Sequence, residues 1–135
     1  MKILIIDGQG GGVGRSIVAA LKAAMPAQPG VALGTNAQAT AAMLKAGADL
    51  GATGEGAIRY QCKSADIILG VTGILHANAM LGEITEKMAL AIGRSGAKKL
   101  LLPVNQCGNL IAGTQAMSLS RVMEEAVALL KELLA

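Results

Sequence analysis

The sequence predicts an α/β fold: one doubly wound domain over residues 1–135, with a mostly parallel sheet of about five or six strands and helices on both faces. Three observations carry this expectation. Short apolar runs alternate along the chain with segments of helical periodicity, the order that a parallel sheet with crossover helices requires. The apolar runs are continuous rather than alternating, as in strands covered on both faces. The connections between them are rich in glycine and small polar residues, which are turn-forming chemistry.

Lys2–Asp7 reads as the first strand, with Ile3-Leu4-Ile5-Ile6 at its centre. Val13–Met25 reads as a helix, because Val13, Ile17, Leu21 and Met25 recur every four residues with Val18 alongside, giving one buried face. Pro26 and Pro29-Gly30 stop it. Val31–Gly34 is a second strand, followed by a helix from about Ala37 to Ala46 with Asn36 as N-cap and Gly47 as its C-terminal stop. Ala48–Ala52 is a weaker third strand and Glu55–Lys63 a third helix. Asp66–Val71 is the clearest internal strand. Ile74–Leu81 is apolar almost all round, so it is expected in the core or at an interface. Thr85 caps a helix running to about Arg94 and ended by Gly96. Lys99–Val104 is another apolar strand, and Leu110–Ala112 a short last one. The final helix carries one stripe of Leu119, Val122, Met123, Ala126, Val127, Leu130, Leu133 and Leu134.

Composition narrows the function. Charged residues are 16% of the chain, against about 25% in an average soluble domain. A small domain with so little charge leaves apolar surface exposed, and a homo-oligomer is the simplest remedy. The net charge of +3 comes without any run of Lys or Arg, and one tyrosine with no Phe or Trp offers no platform for stacking bases. Both argue against a nucleic-acid partner. Cys62, Cys107 and the single His76 do not make a metal site of usual spacing, so no metal is expected, and the thiols read as reduced and buried. Two uncharged runs, Ala23–Leu44 and Leu100–Ser120, are each broken by prolines, glycines and amides, so neither reads as a membrane span. The expectation is a soluble, cytoplasmic protein.

The segment richest in chemistry is Asp7-Gly8-Gln9-Gly10-Gly11-Gly12-Val13-Gly14-Arg15-Ser16. Five glycines within residues 8–14 cost backbone entropy, and one or two would suffice for a tight turn. The loop joins a strand to a helix, where glycines let the backbone approach a phosphate and the helix N-terminus supplies free N–H groups. Gly8, Gln9, Gly10, Gly11, Gly12, Val13 and Gly14 are therefore candidate ligand contacts. The ligand class is a phosphate-bearing nucleotide, NAD(P) or another. The ends of the other strands are small and polar: Gly34-Thr35-Asn36, Thr53-Gly54-Glu55-Gly56, Thr72-Gly73 and Asn105-Gln106. Right-handed crossovers place all these loops at one sheet edge, so Thr35, Asn36, Thr53, Gly54, Thr72 and Gly73 extend the candidate site.

The spacing Gly8–Gly12–Gly14 resembles the G-x-x-x-G-x-G turn of short-chain dehydrogenases, over about the first twenty residues. Two features depart from that family. The second strand ends in Thr35-Asn36 where an acidic side chain would hold the adenosine ribose. Tyr60 and Lys63 are misplaced for the catalytic pair, which leaves Tyr60 as a structural residue with its hydroxyl at the surface. Gly10–Ser16 also resembles the variant nucleotide loop of partitioning ATPases, but Gly10 and Arg15 replace both lysines, which argues against ATP hydrolysis. Over its whole length the chain is similar to a small bacterial Rossmann-like protein family of unknown function. Ile6–Gly12, Leu33–Ala37, Gly51–Glu55 and Met80–Thr85 carry that resemblance, which implies no activity or catalytic residue.

Catalytic candidates are weak. His76 follows the fourth strand, and its apolar neighbours favour a core position. Glu83 reads as a local helix cap, Glu55 as a first-turn acid and Asp7 as a turn former, although each carboxylate lies on the loop edge. Three functions remain: a nucleotide-binding sensor or accessory module, a small oxidoreductase with a site shared between subunits, or a structural protein that has lost its ligand.

Overall fold

A computed structural model describes residues 1–104, 108–114 and 116–135. The chain runs β1 (Ile3–Asp7), α1 (Gly12–Ala24), β2 (Val31–Gly34), α2 (Ala37–Lys45), β3 (Leu50–Thr53), α3 (Glu55–Cys62), β4 (Ile67–Val71), a 3-10 turn (Thr72–Leu75), α4 (Glu86–Arg94), β5 (Lys98–Leu102) and α5 (Leu119–Leu134). The strands form one sheet in the order β3-β2-β1-β4-β5, with every neighbouring pair parallel. The order in which the chain adds strands reverses between β1 and β4, with β2 and β3 laid down on one side of β1 and β4 and β5 on the other. In such folds this is the switch point beside which ligands bind.

Continuous apolar strands serve two cores at once. Ile3 and Ile5 of β1 join Ile17, Val18 and Leu21 of α1, Met43 of α2 and Val122 and Leu130 of α5 on one face. Leu4 and Ile6 join Ile58 and Cys62 of α3 and Met88 and Ile92 of α4 on the other. The period of two along β1 and of about four along the helices is what separates these sets. Ile5 is fully buried, so Ile5→Ala should cost about 2–5 kcal/mol of stability.

Local signals place several helix ends. Asn36 Oδ1 accepts from Ala39 N–H, capping α2, and Gly47 follows that helix with φ 120°. Thr85 Oγ1 accepts from Met88 N–H at the start of α4. Three expectations change. Leu110–Ala112 is not a strand but leads into a turn at Gly113 (φ 89°), so the sheet has five strands among the described residues. β3 begins later than expected and is an exposed edge, with Leu50 66% accessible. Ile74–Leu81 is buried only at Ile74, Ala79 and Met80, while Leu81 stands 96% exposed. Left-handed backbone at Asn78, Met80 and Leu81 breaks the regular spacing and turns neighbouring side chains in different directions. Among the described residues, no helix is long and apolar enough to cross a membrane.

Candidate functional site

The glycine loop leaves β1 through Asp7, whose buried carboxylate organises it. Asp7 Oδ1 accepts from Gly8 N–H at 2.8 Å and Oδ2 from Gly14 N–H at 2.7 Å. The expected turn former thus also closes the first turn of α1. Burial raises the Asp7 pKa above the ordinary carboxylate range, against the lowering effect of the Gly14 and Gly8 donors, and the nearby Glu83 charge adds to the rise. Gly11 N–H donates to Gly8 O at 2.9 Å, and Gly11 holds the N-cap in left-handed backbone at φ 72°.

The five glycines divide by what surrounds them. A Cβ at Gly8 would lie 2.6 Å from Thr35 Oγ1, and one at Gly14 would lie 2.7 Å from both Asp7 Cβ and Met43 Sδ. At Gly11 it would meet the Ala39 backbone at 2.9 Å. These three are required by packing and by the cap. Gly10 and Gly12 are different: a Cβ at either meets nothing within 4 Å, and neither has a positive φ. Helix starts leave several N–H groups without intrahelical acceptors. Here Asp7 takes that of Gly14, whereas those of Gly10, Gly12 and Val13 have no partner among the described residues. These residues line a cleft of about 160 Å³ whose other walls include Val71, Met80 and Val104.

Glu83 crosses to the same loop from the segment before α4. Its Oε1 accepts from Gln9 N–H at 2.8 Å, Thr35 Oγ1 at 2.6 Å and Asn36 Nδ2 at 2.8 Å. Asn36 Nδ2 also donates to Gln9 O at 2.9 Å. The Thr35 donation, followed by the Gln9 N–H, lowers the Glu83 pKa below its ordinary range. The reading of Glu83 as a local helix cap is therefore corrected, since it ties the ends of β1 and β2 together. Its neighbour Thr85 donates to Glu55 Oε1 at 2.5 Å, linking α4 to the first turn of α3.

Gly8–Gly14, Thr35, Asn36 and Glu83 therefore meet at one place. Thr53 lies further along the edge, sharing a 2.7 Å hydrogen bond with Thr40, and Gly54 caps α3 at φ 98°. Thr72 Oγ1 donates to Val104 O at 3.3 Å, with Gly73 beside it in the 3-10 turn. His76 is exposed, which corrects its expected core position. Tyr60 is 69% exposed, so more of its side chain than the expected hydroxyl stands at the surface. Cys62 is buried and free, and desolvation pushes its thiol up to about 11. Asn105, Gln106 and Cys107 lie outside the described residues. The cleft walls Val71, Met80 and Val104 escape sequence reasoning, because apolar residues at and beyond strand ends look like core. No three potential metal ligands cluster among the described residues.

A parallel sheet in the order 3-2-1-4-5, with a glycine-rich turn after its first strand, defines a Rossmann-type α/β protein. The chain belongs to the family described as "Domain of unknown function (DUF3842)", whose model matches residues 2–135. A search of curated proteins finds no match to this sequence. Among solved structures the fold is similar to that of a dodecameric FMN-dependent UbiX-like decarboxylase from Escherichia coli O157:H7. The TM-score is 0.55 at 12% identity, over 98% of this chain and 92% of that one.

Proposed function

We propose that this protein binds a phosphate-bearing nucleotide at the start of α1, as a sensor or accessory module. One observation carries the reading. Gly10 and Gly12 lack any packing or backbone need to be glycine, yet they flank unpartnered N–H groups on a cleft. An anion accepting from Gly10, Gly12 and Val13 N–H would satisfy those donors and gain from the helix dipole. The cleft's 160 Å³ is below the ~300–1,000 Å³ usual for small-molecule sites, so it fits the phosphate end while the remainder lies along the sheet edge. Thr35, Asn36, Thr53, Gly54, Thr72 and Gly73 border that edge.

NAD(P) and mononucleotides both satisfy this chemistry, and the fold's likeness to an FMN-dependent protein makes FMN a natural probe. Scarce charge and the exposed Leu81 and Leu119 support a homo-oligomer. The alternative is a small oxidoreductase whose site a second subunit completes. Native mass spectrometry of freshly purified protein, followed by thermal-shift titration with FMN, NAD, AMP and inorganic phosphate, tests the proposal. A retained nucleotide or saturable stabilisation is expected. A ligand-free protein indifferent to all four probes would contradict it.

A further inference from the structure

We infer that Glu83 reads the sugar of the bound nucleotide by accepting a hydrogen bond from an unmodified ribose diol, so that the ligand is a ribonucleotide with free 2′- and 3′-hydroxyls. The inference rests on the nucleotide reading above and adds the residue that sets sugar specificity. In Rossmann-type sites an acid at the end of the second strand accepts from the ribose hydroxyls while the phosphate sits on the first helix. In this sequence β2 ends in Gly34 and is followed by Thr35 and Asn36, none of them acidic. The fold supplies the missing carboxylate from a segment remote in sequence. Thr35 and Asn36 hold Glu83 Oε1 at 2.6 and 2.8 Å, and Gln9 N–H of the glycine loop holds the same atom at 2.8 Å.

The two oxygens of Glu83 have different tasks. Oε1 takes all three donors and fixes the carboxylate in place. Oε2 has no partner among the described residues and is not among the buried unsatisfied atoms, so it is open to a ligand donor. Hydrogen bonds to Oε1 lower the Glu83 pKa, which keeps the group an acceptor at neutral pH. An anionic acceptor beside a phosphate site favours a neutral hydroxyl donor and repels a second phosphate on the same sugar. The side chain of Asn36 cannot turn to take the acceptor role without cost, because its Oδ1 already caps α2.

The test compares wild-type binding of AMP with 2′-deoxy-AMP, 3′-deoxy-AMP and adenosine 2′,5′-bisphosphate, with inorganic phosphate as the phosphate-only probe. A charged acceptor left without its donor predicts that loss of the contacting hydroxyl weakens binding at least ~10-fold, and that a 2′-phosphate weakens it comparably. Glu83→Gln keeps an oxygen for Thr35, Asn36 and Gln9 but replaces Oε2 by an NH₂ group. This variant should bind inorganic phosphate at least as well as wild type, and it should no longer disfavour adenosine 2′,5′-bisphosphate relative to AMP, because an NH₂ group donates to a phosphate that the carboxylate repels. Equal wild-type affinity for AMP and both deoxy analogues overturns the role of Glu83 while leaving the phosphate site standing, and this comparison needs no variant. An undiminished bias against adenosine 2′,5′-bisphosphate in Glu83→Gln overturns it too. Failure of phosphate and every nucleotide to bind removes the phosphate site, and the sugar reading with it.

Discussion

Replacing Gly12 with valine separates a ligand contact from a structural glycine. Gly12 is the first residue of α1, is exposed, and would carry its Cβ into space empty to 4 Å. Gly is about 1 kcal/mol poorer than Ala in a helix and Val about 0.6 poorer, so the unliganded protein should change by no more than about 0.5 kcal/mol, or roughly 2 °C in Tm. Wild-type protein at a nucleotide concentration 100 times Kd should gain about 2.7 kcal/mol, or roughly 10 °C. The branched side chain would stand where the proposed phosphate meets the Gly12 and Val13 N–H groups, so this gain should vanish in the variant. Gly14→Ala is the control. Its Cβ would collide with Asp7 and Met43 at 2.7 Å, and the variant should lose about 1–3 kcal/mol without ligand. Differential scanning fluorimetry with and without AMP or FMN reads both effects. A full ligand shift in Gly12→Val would refute the assignment of the phosphate to this helix start. Collapse of the unliganded variant would show that the glycine is required for folding.

Acid titration by chemical denaturation should expose two carboxylates of opposite sign. The lowered Glu83 pKa contributes stability that is present above its unfolded value and lost as pH falls through the folded one, whereas the raised Asp7 pKa contributes stability lost as pH rises through its folded value. Glu83→Gln should thus cost about 1–3 kcal/mol near neutrality, and that deficit should shrink at acid pH; a constant deficit would contradict the charge-assisted contacts. Cys62, buried with its pKa raised to about 11, should resist alkylation at pH 8 until the protein unfolds, as followed by peptide mapping; rapid native labelling at that residue would contradict its placement. Light scattering at micromolar concentration should give a multiple of the 13.6 kDa chain, and a monomer would count against the homo-oligomer.

What the sequence made legible was local. Asn36 and Thr85 cap the helices that their neighbours announce, because a cap is set by residues within one turn. The β1 run and the four-residue spacing of α1 fix which face each buries, so five strands and their helices emerge in order. Leu110–Ala112 misleads because three apolar residues carry no register information, and the chain turns at Gly113 instead. His76 misleads because apolar neighbours imply burial only while the backbone keeps one periodicity, which left-handed residues 78, 80 and 81 interrupt. The glycine loop was visible as a cluster, but its division into packed and open positions was not. That division depends on Thr35, Ala39 and Met43, which reach it only through the sheet. The role of Glu83 was equally hidden, since its bond to Gln9 spans 74 residues. Its sequence signals were its place on the loop edge and its being the first carboxylate after the uncharged stretch following Asp66.

The most direct measurement follows the backbone amides of Gly10, Gly12 and Val13 by ¹⁵N–¹H spectroscopy while inorganic phosphate, and then AMP, is titrated in. Amides that donate to a bound phosphate should shift together and saturably, with the Gly14 amide moving less because Asp7 already holds it at 2.7 Å. Saturable binding that leaves Gly10, Gly12 and Val13 unmoved, or no binding of either probe, would contradict a phosphate site at the start of α1.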